Sequence, residues 1–149
     1  MAEAVARKVA EERGLKGIEV RSAGTGAFPG RPASDYAERV AERHDLDLSS
    51  HRSTPLSADL VAWADLILTM GSGHLRRVLE LGGEGKSHLL GAYATDADRA
   101  EDGGAELEVP DPFGGNDETY ERTLETLEEY VRAVLQKRSF EGGEGSCPE

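Results

Sequence analysis

Cysteine, aromatic side chains, positive charge and long apolar runs are all scarce in this chain of 149 residues. There is one cysteine, Cys147. It cannot close an internal disulfide, and a chain that does without disulfides suits a reducing cytoplasm. No apolar run approaches the roughly 20 residues needed to cross a bilayer. The opening Met1-Ala2-Glu3-Ala4 carries an early acid and no apolar stretch, so no signal peptide is expected. Lys and Arg number 17 against 29 Asp and Glu, a net charge of −12. So acidic a surface makes nucleic acid and anionic membranes poor partners. The four histidines, His44, His51, His74 and His88, show no metal-ligand spacing with cysteine or with one another. Neither a Gly-x-Gly-x-x-Gly loop nor a Gly-x-x-x-x-Gly-Lys-Ser/Thr cradle is present, so no metal and no cofactor is expected.

What is there is ordinary for a globular domain: 38% hydrophobic and 31% charged residues. Met1 to Arg13 reads as a helix, with Met1, Val5 and Val9 four apart, alanines between them, and Gly14 placed to end it. It has no capping residue ahead of it. Ile18 to Arg21, β-branched behind Gly17, reads as a strand. Ser22-Ala23-Gly24-Thr25-Gly26 follows as a small-residue loop. Ser34 can cap a second helix with Tyr36, Ala37, Val40 and Ala41 on one face, and Ser57 a third carrying Leu60, Val61 and Trp63. Asp65 to Met70 is the apolar run of a strand buried on both faces.

His74 to Leu81 reads as a short helix with Leu75, Val78 and Leu79 inward, and Ser87 to Leu90 as a last strand. Residues 91–108 are polar and acidic and read as a mobile surface loop. Thr119 to Gln136 is the longest helix, its stripe made by Tyr120, Leu124, Leu127, Val131 and Val134. Glu141 to Glu149 is too polar to pack and reads as a disordered tail, leaving one domain over residues 1–140.

Helices alternating with apolar strands predict an α/β fold with a parallel sheet. Active sites in such sheets lie at the carboxyl ends of the strands. The loops after Arg21, Met70 and Leu90 would share that edge, and the last of them carries Asp111. Asp111 sits between Pro110 and Pro112, whose rings fix their own φ and push the preceding residue towards extended geometry. Gly114 and Gly115 permit a turn, and Asn116 can cap the next helix. A carboxyl held rigidly on a loop is what general acid catalysis needs. A Pro-Gly turn with a solvated Asp is the plainer alternative.

Taken in order, Met-Ala-Glu-Ala opening a helix, Ser-Ala-Gly-Thr-Gly (22–26), Ala-Asp-Leu-Ile-Leu-Thr-Met (64–70) and Asp-Pro-Phe-Gly-Gly (111–115) resemble the low-molecular-weight protein tyrosine phosphatases over nearly all of residues 1–138. Asp-Pro-Phe-Gly-Gly in place of Asp-Pro-Tyr-Tyr, and Ser53-Thr54-Pro55-Leu56, are more similar to the bacterial protein-arginine phosphatase branch. The resemblance implies a three-layer flavodoxin-like fold, an open parallel sheet with helices on both faces. It implies a phosphorylated protein substrate, phosphoarginine or phosphotyrosine, attacked by a cysteine thiolate. Asp111 matches the general acid. Phe113 matches a position bordering the substrate slot, its alternative being a ring laid over the loop's apolar side. His51 matches a histidine that braces the phosphate loop, and Ser22 and Thr25 match supporting hydrogen-bond donors.

In the family a Cys, five residues and Arg-Ser-Pro stand immediately before Met-Ala-Glu. This sequence begins at Met1 and contains no such loop; Cys147 is followed only by Pro148 and Glu149, so no arginine can close a loop around it. The central first strand is missing with it, which leaves 18–21 and 65–70 with unpaired edges at about 1–3 kcal/mol per buried unmet group. The expectation is that Met1 is internal to a longer, active product, with an in-frame strand, Cys and Arg encoded upstream. The competing expectation is a remnant that binds a partner without turnover. Either way the 149-residue chain alone is expected to be inactive, because removing the nucleophile removes most of the rate of such an enzyme. An arsenate reductase relative is the further alternative; it needs more cysteines than Cys147.

Overall fold

The computed structural model describes residues 1–96 and 107–140, the last three by backbone alone. The first helix, α1 (Ala2–Glu12), buries Val5, Ala6, Val9 and Ala10. It ends at Gly14, whose φ of +63° lies in the left-handed region that glycine tolerates best. Ser34 caps α2 (Asp35–Arg43) by accepting from the Ala37 N–H, and Ser57 caps α3 (Ala58–Trp63) through the Leu60 N–H. The strand β1 (Ile67–Thr69) leads into α4 (Ser72–Glu80). Then β2 (Ser87–Leu89) runs directly into α5 (Leu90–Thr95), and α6 (Asp117–Phe140) closes the described chain.

The pairing of β1 with β2 is parallel, Ile67 opposite Ser87 and Thr69 opposite Leu89. Side chains of β1 alternate between faces, as a strand demands. Leu66 and Leu68 enter a cluster with Leu90, Val109, Leu127 and Val134, while Ile67 packs with Val61, Ala64 and Val78. Helices α5 and α6 therefore cover one face, and α3 and α4 the other. A third cluster joins α1, α2 and α6, with Val9, Val40 and Leu124 fully buried in it. The α/β class, the parallel sheet and the two-sided helical cover are as the sequence predicts.

Four local expectations are corrected. Residues 18–21 form no ladder; Val20 is buried, but among the described residues the sheet has two strands, and only Gly24 bridges to Pro55. An extended segment becomes a strand only when a neighbouring strand takes its N–H and C=O groups; among the described residues no strand pairs with it, and the Val20 carbonyl accepts instead from the Arg7 guanidinium at 2.9 Å. Leu90, expected to end the last strand, and residues 91–95, expected as loop, form the helix α5, with Leu90, Ala92 and Ala94 buried; small residues let this short helix pack closely against what surrounds it. Residues 97–106 of that expected loop lie outside the described residues, as do the tail 141–149 and its Cys147.

Leu79 and Tyr36 are exposed rather than inward. Leu79 follows the buried Val78 on a helix that offers its sheet only a narrow stripe. Tyr36 instead stacks on Tyr120 with ring centroids 5.7 Å apart. Among the described residues no helix is long and apolar enough to cross a membrane.

Candidate active site

The loop carrying Asp111 is built by its own residues. The Val109 N–H donates to the Met70 carbonyl at 2.8 Å, tying the loop to the end of β1. Asp111 Oδ1 accepts from the Phe113 N–H at 3.0 Å, a tight local turn that fixes the carboxyl. Gly114 follows at φ +85°, and the Gly115 N–H closes on the Pro112 carbonyl at 2.8 Å. Asn116 then caps α6, its Oδ1 accepting from the Thr119 N–H and hydroxyl, both at 3.0 Å.

Across from this loop lies the opening of α1. No side chain caps this helix at Met1, and the first-turn N–H groups of a helix, which carry the positive end of its dipole, have no partner within it. Between the two is a hollow of about 310 Å³. Met1, Ala2 and Glu3 line one side, Pro110, Asp111 and Pro112 the other, with Ser22 to Thr25, β1 and His74 around them. The opening of a helix, whose first-turn N–H groups favour anions, and the Asp111 carboxyl thus line one hollow. Among the described residues the lining holds no arginine, lysine or cysteine.

Of the residues singled out by sequence, Asp111, Ser22 and Thr25 meet at this hollow. His51 stands behind it, in a second hollow of about 550 Å³ that shares Met1, Glu3 and Ser22 with the first. Phe113 does not line either hollow and is 82% exposed, so its ring is not laid over the loop.

The residue that joins these groups was not singled out. Glu3 Oε1 accepts from the Ser22 hydroxyl at 3.2 Å, its Oε2 lies 3.7 Å from His51 Nδ1, and Arg7 approaches it at the same distance from the next turn of α1. Its one signal in the sequence is an acid in a first helical turn, which reads equally well as a simple dipole partner. Glu108 was also missed. It lies in an acidic stretch that gives no local hint of its contact with α4. Among the described residues no three His, Cys, Asp or Glu side chains gather closely enough to hold a metal ion.

An open parallel α/β fold with a hollow at the carboxyl edge of its strands, lined by Asp111 and the opening of α1, has its candidate site where such folds bind ligands. Residues 1–141 match the model of the low molecular weight phosphotyrosine protein phosphatase family, and the chain belongs to that family. It is 35% identical over 140 residues to the protein-arginine-phosphatase of Bacillus subtilis (strain 168), covering 92% of this chain and 86% of that one. It is 33% identical over 143 residues to the low molecular weight protein-tyrosine-phosphatase Wzb of Salmonella typhi, covering 93% and 91%. Among solved structures it is similar to the YwlE arginine phosphatase of Geobacillus stearothermophilus, with a TM-score of 0.79 at 30% identity over 94% of this chain and 86% of that one. It is likewise similar to a YwlE cysteine-to-serine mutant with a phosphorylated active-site serine, with a TM-score of 0.81 at 33% identity over 93% and 86%.

Proposed function

We propose that this fold serves a protein phosphatase working through a phosphocysteine intermediate, with Asp111 as its general acid and phosphoarginine as its preferred substrate. One observation carries the reading: Asp111 and the opening of α1 line the same hollow at the carboxyl end of β1. A cysteine thiolate attacks phosphorus, and the bond from phosphorus to the leaving nitrogen or oxygen breaks. Asp111 gives its proton to that leaving atom. The same carboxylate then takes a proton from water as water attacks the phosphocysteine and releases phosphate and thiolate. The first-turn N–H groups of α1 hold the phosphoryl oxygens throughout.

By resemblance to the family, the attacking cysteine and the arginine that would hold the equatorial oxygens would come from a Cys-x5-Arg loop placed before the first helix. The relative that carries a phosphorylated serine in place of its cysteine supports the covalent step. Phe113 in Asp-Pro-Phe-Gly-Gly favours phosphoarginine over phosphotyrosine. A thiolate nucleophile must stay reduced, which fits a cytoplasmic setting. His51, Ser22 and Thr25 support the loop, His51 and Ser22 acting through Glu3.

The test compares the 149-residue chain with the same chain carrying a strand and Cys-x5-Arg loop ahead of Met1, each assayed on phosphoarginine and phosphotyrosine proteins. The 149-residue chain is expected to turn over neither, and the loop-bearing form to hydrolyse phosphoarginine faster. Robust hydrolysis by the 149-residue chain would refute the phosphocysteine route. A measurable dissociation constant with zero rate in both forms would favour a phosphopeptide-binding module instead.

A further inference from the structure

Immediately ahead of Pro110 the chain is tied down at three consecutive residues, each to a different element. The Leu107 carbonyl oxygen lies against Gly91 of α5, so close that a Cβ on that glycine would collide with it. Glu108 Oε1 accepts from the Ser72 N–H in the first turn of α4 at 2.8 Å. The Val109 N–H donates to the Met70 carbonyl at 2.8 Å. Only Pro110 separates this clamp from Asp111, and its ring allows little rotation about φ.

Glu108 is the member with a choice. First-turn N–H groups of a helix have no partner inside it. The cap residue of α4 is Gly71, which has no side chain to offer. Glu108 supplies the missing acceptor from 36 positions away, and its Oε2 stands close over Gly71. The Ser72 backbone N–H holds its carboxyl below the ordinary range, and the nearby His74 adds to this.

We propose that Glu108 is a positioning residue for catalysis: by capping α4 it sets where Pro110-Asp111-Pro112 stands, and so where the acid meets the leaving atom. This rests on the reading of Asp111 as the general acid. Displacement of Glu108 passes through one bonded residue and a proline into the Asp111 backbone, and a misplaced proton donor loses its effect steeply with distance.

Two measurements test it. The first is amide hydrogen exchange on the 149-residue chain, comparing the parent with Glu108→Ala, which removes the acceptor, and Glu108→Gln, which keeps one. Glu108→Ala is expected to speed exchange at Val109 and Phe113 about tenfold, with β1 unchanged and Glu108→Gln restoring most of the protection. If only the first turn of α4 loosens, Glu108 is a helix cap and nothing more. Absence of protection at Val109 in the parent overturns the clamp itself.

The second measurement uses the form bearing the Cys-x5-Arg loop, with phenyl phosphate, whose leaving group needs a proton, and p-nitrophenyl phosphate, whose leaving group needs little. Glu108→Ala should lower kcat/KM about tenfold more on phenyl phosphate, and Glu108→Gln should recover most of it. Equal loss on both substrates overturns the positioning role. Asp111→Asn is the control. If it shows no such split, the general-acid reading fails, and exchange at Val109 and Phe113 still reports separately on the clamp.

Discussion

His51 Nδ1 lies 3.7 Å from Oε2 of Glu3. The other oxygen of that carboxylate accepts from Ser22, so one acid on the first turn of α1 holds two loops that are far apart in sequence. Glu3→Ala should cost about 1 kcal/mol in urea denaturation, and Ser22→Ala a similar amount. Because both break the same bond, the double variant should cost clearly less than the two added together. Full additivity would mean the hydroxyl and the carboxylate do not interact in solution.

The core rests on α6. Leu124 is fully buried between α1 and α2, whereas Leu79 on α4 is 41% exposed. Leu124→Ala should cost roughly 2–5 kcal/mol, a large share of the total stability of a domain this size. Leu79→Ala should cost under about 0.5 kcal/mol. Chemical denaturation of the two variants side by side checks the difference, and similar losses would contradict the placement of α4.

His44, at the end of α2, sits between Glu121 and Glu128 of α6, with Arg43 beside Glu121 and the Lys8 ammonium on the His44 carbonyl. The hydrogen bond to Glu121 raises the His44 pKa, and the same bond lowers that of Glu121. The raised histidine contributes stability fully below its unfolded value of about 6.5, and loses it as pH rises through the higher folded value. The lowered glutamate contributes fully above its unfolded value of about 4.3, and loses it as pH falls through the lower folded value. The pair is therefore strongest at about pH 4.5 to 6.5. The melting-temperature gap between the parent and His44→Gln should be wide at about pH 5.5 and narrow at about pH 8.5. A gap that does not change with pH would show that His44 stays neutral.

Among the described residues, 18–21 have no ladder, and β1 is paired to β2 alone. Placing the family's strand ahead of Met1 should pair both edges, sharpening the thermal transition and raising its midpoint. The 149-residue chain should melt over a broad range. Calorimetry checks this, since an incompletely cooperative chain shows a van't Hoff enthalpy unequal to its calorimetric enthalpy. A sharp, two-state melt without the added strand would mean that the unpaired edges cost little.

Much of this was legible in the residues because it is local. The stripe Tyr120, Leu124, Leu127, Val131 and Val134 repeats over enough turns that no other period fits it, and all five side chains are buried. Ser34, Ser57 and Asn116 cap the helices they precede because a short polar side chain reaches only its own neighbourhood. Where a window is short the reading fails. Leu79 and Tyr36 fit a helical face, but whether such a face is covered depends on what packs there. Residues 90–95 carry too few turns to show a period, and they are helical because Gly91 and the alanines admit close neighbours.

By itself the sequence determined every helix but α5, the buried run at β1, and a carboxyl locked between two prolines, since each follows from residues within a few bonds of one another. Only the tertiary structure decided that Asp111 and the opening of α1 line one hollow, that Glu3 gathers Ser22 and His51, and that Glu108 caps a helix 36 positions back. Those meetings depend on how the core faces of α1, α6 and β1 stack, and no local rule of backbone or side-chain preference specifies the distance between segments so far apart along the chain.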